Sequence, residues 1–335
     1  GLATALALCA IETAGMHGTL HIKAREDIPF LNRTTLSTTR EQLLETTGSR
    51  YAPASPCDGL HMIENAPGTC AFIGKPCDVV AVRKTAALRP ALSQNLGITI
   101  AFFCGGTPST LWTLQMMHAM GVRKLSAVRS VRYRGYGWPG KATVDHSEGE
   151  SEKTEQLTYD ESWGDILQKR RQWRCYICPD HTGEYADIAV ADAWHRNTAD
   201  YQPGRSLVIA RTETGRQFVR RAAEAGYLVL DPAAPEALPK SRPGQTTALG
   251  ALWGRLLTLK CMGVPVPQYE GVPLLDIWLR ELSLQQKIRS VGGTVKRTFR
   301  KKLLVKAPYS ASDQLALEAS MEQALDALLQ KYNIM

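Results

Sequence analysis

The chain has 335 residues, 44% of them hydrophobic, and a formal charge of +8. That composition supports a sizeable core in one large domain or two, and no run of 18 apolar residues is present, so no membrane span is expected. The charge is confined: nine Lys or Arg and a single acid, Glu281, lie between Arg280 and Lys306, so the rest is about neutral and a body built to coat nucleic acid is not expected.

The opening GLATALALCAIETAG has helical spacing up to Gly15. It carries Glu12 and no basic leader, so it does not read as a signal peptide, and the missing initiator methionine leads us to expect further sequence upstream. GTLHIK then reads as a strand, and TREQLLETTGSRY as a helix closed by Gly48. TCAFIGKPCDVVAVRKTAAL reads as strand, tight turn at Gly74–Pro76, then helix. NLGITIAFFCGG is an apolar, β-branched run of buried-strand type, followed by the helix PSTLWTLQMMHAMG. Such alternation predicts an α/β layer with a mixed, largely parallel sheet and flanking helices.

The pattern then changes. LSAVRSVRYRGYGWPGKATVDH alternates around a Gly/Pro turn and reads as an inserted β-hairpin region. YADIAVADAW and RSLVIAR read as strands, ETGRQFVRRAAEAG as a helix, and YLVLD as a last strand. DPAAPEALPKSRPG is a proline-rich linker leading to a helical C-terminal extension, whose last helix repeats Leu317, Met321, Leu325 and Leu328. The expected division is 1–124, 125–235 and 236–335.

Eight cysteines without a disulfide-like framework point to a reducing, cytoplasmic compartment. Cys9 and Cys261 lie in apolar helical surroundings and read as small hydrophobes, while Cys57 and Cys70 are ambiguous. Cys77, Cys104 and the pair Cys175–Cys178 instead sit where a strand meets a turn, the place at which a rigid scaffold presents ligands. One CxxC with two distant single thiolates suits tetrahedral Zn²⁺ or a [4Fe–4S] cluster, and spacing leaves both open. Arg170, Arg171 and Arg174 just before the pair would offset the negative charge of a four-thiolate cluster, or simply form a solvated face.

AFIGKPCDVVAVRK, IAFFC and CYICPDHTGEYADIAVADAW together resemble the coenzyme F420 hydrogenase/dehydrogenase beta-subunit family, which also includes plant 7-hydroxymethyl chlorophyll a reductase. GLATAL resembles the end of that family's glycine-rich start and GSRYAPAS its Gly-Ser-x-Tyr-x-x-Ser segment, so the resemblance runs over about residues 1–230. It implies an iron–sulfur flavoprotein oxidoreductase with FAD beside a [4Fe–4S] cluster. Cys77, Cys104, Cys175 and Cys178 would hold the cluster. Gly1, Thr4, Ser49, Tyr51, Ser55, Gly74, Lys75 and Asp192 would bind FAD. The family usually has Gly-Asp where this chain has Ala191–Asp192, and the CxxCxxCxxxCP segment that many relatives carry before the glycine-rich start is absent from these residues.

The physics of those segments agrees. A glycine opening a helix can turn backbone N–H groups to a pyrophosphate, Thr4 and Ser49 supply hydroxyls, and Gly74 allows a flat ring to approach. His181 and His195 are candidate proton donors, although flavin can also be protonated through water. The implied partners are a small-molecule substrate, with coenzyme F420 as one candidate, and ferredoxin or a redox partner subunit. Residues 280–306 would meet an acidic surface, and no nucleic acid is expected. The competing reading is a zinc-stapled binding or scaffold protein without redox activity.

Overall fold

The chain is described by a computed structural model over residues 1–196 and 204–305. Strands β1 (Gly18–Ala24), β2 (Asn32–Ser37), β3 (Cys70–Gly74), β4 (Leu96–Phe102), β5 (Val128–Arg132), β6 (Ala142–Glu148), β7 (Ser151–Leu157), β8 (Ile188–Asp192) and β9 (Ser206–Ala210) form two sheets. The larger has the order β2-β1-β3-β4-β8-β9; its three central pairings are parallel, and β2 and β9 close its edges antiparallel. The smaller, β5-β6-β7, is antiparallel throughout. The mixed, largely parallel architecture is the one expected.

The apolar runs of β3 and β4 are buried on both faces because successive side chains point opposite ways. Ala71, Ile98 and Ile100 meet Leu6 and Cys9 of helix Leu2–Glu12 and Phe218 and Ala222 of helix Glu213–Glu224. Cys70, Phe72 and Ala101 face the other way, onto Ile63, Val79, Val82 and Leu92. Helices therefore cover both faces of one sheet.

Asp187 ties this layer together. Its carboxylate accepts from the Thr99 amide and hydroxyl and from the Thr212 hydroxyl, each at 2.8 Å, and Arg83 lies 2.9 Å away. Burial works to raise its pKa, but those bonds and the Arg83 charge outweigh burial and hold it low.

The described residues divide into two compact units. The first is Gly1–Val122, Ala127–Cys175 and Asp180–Pro243, and contains both sheets; the second is Arg123–Ser126, Tyr176–Pro179 and the chain from Gly244 on. The second unit is helical: Gln245–Cys261 packs with Leu274–Glu281 and Leu284–Arg300. A Cβ on Gly250 would stand 2.2 Å from Leu282, and one on Gly254 would stand 2.2 Å from the Ser290 hydroxyl, so these two glycines permit the close helix contacts.

Several local expectations are corrected. YLVLD is not a strand: after Gly226, at φ +80°, Tyr227 and Leu228 pack onto the core and Val229 is fully exposed. The proline-rich stretch holds a short helix, Ala237–Ser241. The helix expected to run from Thr39 to a cap at Gly48 spans only Arg40–Glu45, with the Thr39 hydroxyl accepting from the Gln42 amide. Cys261, expected among apolar neighbours, is exposed at its helix end. Strands β2 and β7 carry mostly polar side chains and left no apolar alternation to read. The repeat of Leu317, Met321, Leu325 and Leu328 lies outside the described residues.

Candidate functional site

Parallel strands expose their carboxyl ends on one edge of the sheet, and ligands of open α/β sheets bind beyond that edge. Here β3 runs out at Gly74 into Lys75, β4 at Phe102 into Phe103–Cys104–Gly105–Gly106, and β8 at Asp192 into Trp194. Lys75, the run from Phe102 to Gly106, Asp192 and Trp194 line one cavity of about 300 Å³. Tyr51, Tyr159, Trp163 and Trp194 supply its aromatic walls, and Arg50, Lys75 and Arg242 its cations. The Tyr51 and Trp163 rings lie 4.6 Å apart, and Tyr159 and Trp194 5.5 Å apart.

Of the residues expected to bind a flavin, Tyr51, Lys75 and Asp192 line this cavity. Asp192 is held by the turn between β5 and β6: Arg134 donates to both its oxygens, at 2.6 and 3.0 Å, and Trp138 Nε1 lies 3.3 Å away. Burial opposes the charge of Arg134, but the bond to Asp192 more than offsets it and the pKa is raised. The Tyr51 hydroxyl is kept protonated chiefly by burial, against the pull of Arg134 and of a hydrogen bond with Ser49. Lys75 pairs with Asp78 at 2.7 Å; burial opposes its charge, while Asp78, Cys77 and Cys104 raise its pKa.

Gly1, Thr4, Ser49, Ser55 and Gly74 are not among the lining residues. Gly74 serves packing: a Cβ there would stand 2.8 Å from the Asp78 Cβ and 2.9 Å from the Phe72 ring. Ser55 is exposed, and its carbonyl accepts from the Thr34 hydroxyl at 2.9 Å. Gly48, at φ +121°, leaves room for the Arg132 guanidinium.

The cysteines separate by environment. Cys9, Cys57 and Cys70 are kept as thiols by burial, Cys57 up to about 11 with Asp78 adding to the rise. Cys104 follows β4 into the cavity wall, and Cys175 is the last residue of the first unit's middle segment. Cys104 Sγ accepts from the Gly106 amide at 3.4 Å, and Cys175 Sγ from the Thr107 amide at 3.3 Å. Burial raises the Cys104 pKa first, and the neighbouring Cys175 adds to it. A Cβ on Gly106 would meet Arg171 Cδ at 2.3 Å and Cys175 Cβ at 3.4 Å, so only glycine fits between them. Arg171 donates to the Gly105 carbonyl at 2.7 Å.

Cys77 is exposed at the start of helix Pro76–Ala86. Cys178 belongs to the second unit, where the carbonyls of Tyr176 and Ile177 accept from Arg255 and Tyr269. Among the described residues, no group of three or more His, Cys, Asp or Glu side chains is gathered closely enough to hold a metal ion. The Arg170 side chain lies outside what is described.

His181 is buried against Cys104: its Nδ1 lies 2.9 Å from the Cys104 carbonyl, and its own carbonyl accepts the Cys104 amide at 3.0 Å. His195 reaches Ser241, a buried cavity residue, with Nδ1 2.7 Å from the hydroxyl. Arg242, beside it, has a buried Nε with no hydrogen-bond partner among the described residues. Burial lowers the pKa of this guanidinium, against a raising pull from Cys104. Sequence reasoning singled out neither Arg134, Trp163, Ser241 nor Arg242, because nothing in their local spacing marks them.

Two family profiles match this chain: the N-terminal domain of the coenzyme F420 hydrogenase/dehydrogenase beta subunit over residues 1–60 and its C-terminal domain over residues 68–236. The chain belongs to this family. The F420 hydrogenase/dehydrogenase beta-subunit profiles thus end before Gly244, from which the chain belongs to the second unit alone. Among curated relatives, the chain is 27% identical over 231 residues to the F420-dependent formate dehydrogenase subunit beta of Methanocaldococcus jannaschii, a match covering 68% of this chain and 56% of that protein. It is 24% identical to the coenzyme F420 hydrogenase subunit beta of Methanococcus voltae, over 58% of this chain and 64% of that one. The chain therefore spans little more than half to under two thirds of the length of these relatives. A chain of the F420-reducing [NiFe] hydrogenase complex of Methanosarcina barkeri, solved as a xenon derivative, shares the fold with a TM-score of 0.55 at 20% identity, covering 92% of this chain and 90% of that one. No helix among the described residues is long and apolar enough to cross a membrane.

Proposed function

We propose that this beta-subunit family member is an FAD- and [4Fe–4S]-dependent oxidoreductase that exchanges a hydride with a small molecule at the cavity and single electrons with a redox partner subunit or ferredoxin. One observation carries the reading. A cavity walled by aromatic rings opens at the carboxyl ends of the parallel strands, and a thiol that accepts a backbone N–H, Cys104, lines that same cavity. Flavin supplies the conversion between two-electron hydride chemistry and one-electron transfer, and an iron–sulfur cluster supplies the one-electron path.

The cavity lining supports the flavin part of this reading, and the surroundings of two of the four thiols support the cluster part. Amides directed at Cys104 and Cys175 stabilise sulfur in its anionic form, as cluster ligation requires. Cys77 and Cys178 complete the ligand set in this proposal, Cys178 by its position three residues after Cys175 in the chain. For flavin, Tyr51 and Trp163 would exclude water from one wall of the cavity, and Lys75 and the Arg242 guanidinium would offer positive charge to an anionic group. Ser241, hydrogen-bonded to His195, would hold a proton at its Oγ facing the cavity. The relatives' printed names make coenzyme F420 the first substrate to test.

Anaerobic purification followed by visible absorption, flavin extraction and iron assay tests the reading. Yellow-brown protein with stoichiometric flavin and about four iron atoms is expected. Cys104→Ser and Cys175→Ser should lose iron and colour, whereas Cys9→Ser and Cys261→Ser should not. A colourless protein with stoichiometric zinc would overturn the proposal in favour of a stapled scaffold.

A further inference from the structure

The last described helix, Leu284–Arg300, is built inside out. The face it packs within the second unit is lined by hydroxyls: Ser290 is 3% exposed and Thr294 and Thr298 are fully buried. Ser290 lies against Gly254, takes a hydrogen bond from Trp278 Nε1 at 3.1 Å and donates to the Lys287 carbonyl at 2.7 Å. Thr294 and Thr298 return their hydroxyls to the carbonyls four residues back. The polar atoms of that face are thus satisfied internally. The large apolar side chains are left outside: Leu284 is 73% exposed, Ile288 61% and Phe299 63%, with Val291 between them and Leu304 and Val305 beyond. Spacings of 4, 3 and 8 residues set Leu284, Ile288, Val291 and Phe299 in one stripe along the helix.

Charge flanks the stripe in one sign only. Residues 283–305 contain seven Lys or Arg and no Asp or Glu, and Arg289, Lys296, Arg300 and Lys302 are exposed. Protein interfaces tend to lose lysine and mix signs, whereas a helix with an apolar stripe beside uncompensated cations is the form that lies in the boundary of an anionic bilayer. The geometry points to this helix as a peripheral anchor that seats Leu284, Ile288, Val291 and Phe299 among the acyl chains of an anionic lipid surface, with the flanking cations at the headgroups. The inference does not depend on what the cavity binds.

Co-sedimentation of the full chain with vesicles tests it without reference to cofactor content. Binding is expected to phosphatidylcholine vesicles containing about 30% phosphatidylserine, falling at least roughly tenfold on pure phosphatidylcholine and again when salt is raised from about 0.1 to 0.5 M. Ile288→Asp and Phe299→Asp should each abolish sedimentation, and Arg289→Glu with Lys296→Glu should weaken it, while circular dichroism stays unchanged because these side chains are exposed. Three results would overturn the assignment: no binding to anionic vesicles at low salt, binding indifferent to these substitutions, or a dimer or an acidic-protein complex that Ile288→Asp dissolves while vesicles fail to compete.

Discussion

Arg134 and Asp192 form a two-pronged ion pair at the mouth of the cavity, with Nη1 2.6 Å and Nη2 3.0 Å from the two carboxylate oxygens. The pair fastens the β5–β6 turn to the end of β8. It also gives Asp192 a structural task beside any contact with a bound ligand.

Removing one partner leaves the other charge stranded in a largely buried place. Asp192→Ala should therefore cost about 3 kcal/mol, and Arg134→Met with Asp192→Leu together should cost less than the single change. Urea denaturation of the three variants measures both, and equal losses for the single and double variants would refute the account.

Gly106 is the tightest point of the thiol-bearing loop. At φ +109°, with a Cβ 2.3 Å from Arg171, Gly106→Ala should lower stability by about 1–3 kcal/mol and displace the amide that Thr107 offers Cys175. Gly105→Ala meets only the Trp163 ring edge at 3.0 Å and should cost clearly less. A comparison of urea midpoints, together with the labelling rate of Cys175 by a maleimide, decides this ordering.

Asp187 serves four donors, from the Thr99 amide and hydroxyl, the Thr212 hydroxyl and Arg83. Its folded pKa is depressed, so the stabilisation is present above the unfolded value near 3.8 and is lost as pH falls through the lower folded value. Asp187→Ala should cost about 3 kcal/mol at neutral pH and remove part of the acid sensitivity below about pH 4. Denaturation midpoints between pH 3 and 7 would show the two curves converging at the acid end.

His21 is buried in β1, its Nε2 2.8 Å from the Ser37 hydroxyl and its Nδ1 3.0 Å from the Ile22 carbonyl. Burial lowers its pKa, so the folded state holds it neutral. Its contribution is complete above the unfolded value of 6.5 and declines as pH falls toward the lower folded value, with a slope of at most about 1.4 kcal/mol per pH unit. His21→Gln should flatten stability against pH in that range, and an unchanged slope would assign the proton uptake elsewhere.

The sequence by itself determined the sheet and its coverage. Its apolar runs at 70–74, 96–102 and 188–192, separated by amphipathic helices, could be buried only on two faces, and that requirement specifies parallel strands with helices on both sides. It set Cys77, Cys104, Cys175 and Cys178, where a strand meets a turn, apart from Cys9 and Cys261, and left Cys57 and Cys70 undecided. It overlooked the edge strands β2 and β7, whose side chains bury too little to leave a pattern, and it misread YLVLD, whose β-branched content was outvoted by the turn at Gly226. Only the tertiary structure decided which distant residues close the cavity. Trp163 comes from a helical turn, Ser241 and Arg242 from the stretch after residue 231 that reads as linker, and Arg134, from a hairpin turn, holds the lining Asp192. Local propensity carries no information about such meetings, because they follow from where the strand ends point once the core has formed. The exposed apolar stripe of Leu284–Arg300 has the same origin: amphipathic spacing is visible in the sequence, but which face turns inward is set by the two glycines that admit Leu282 and Ser290.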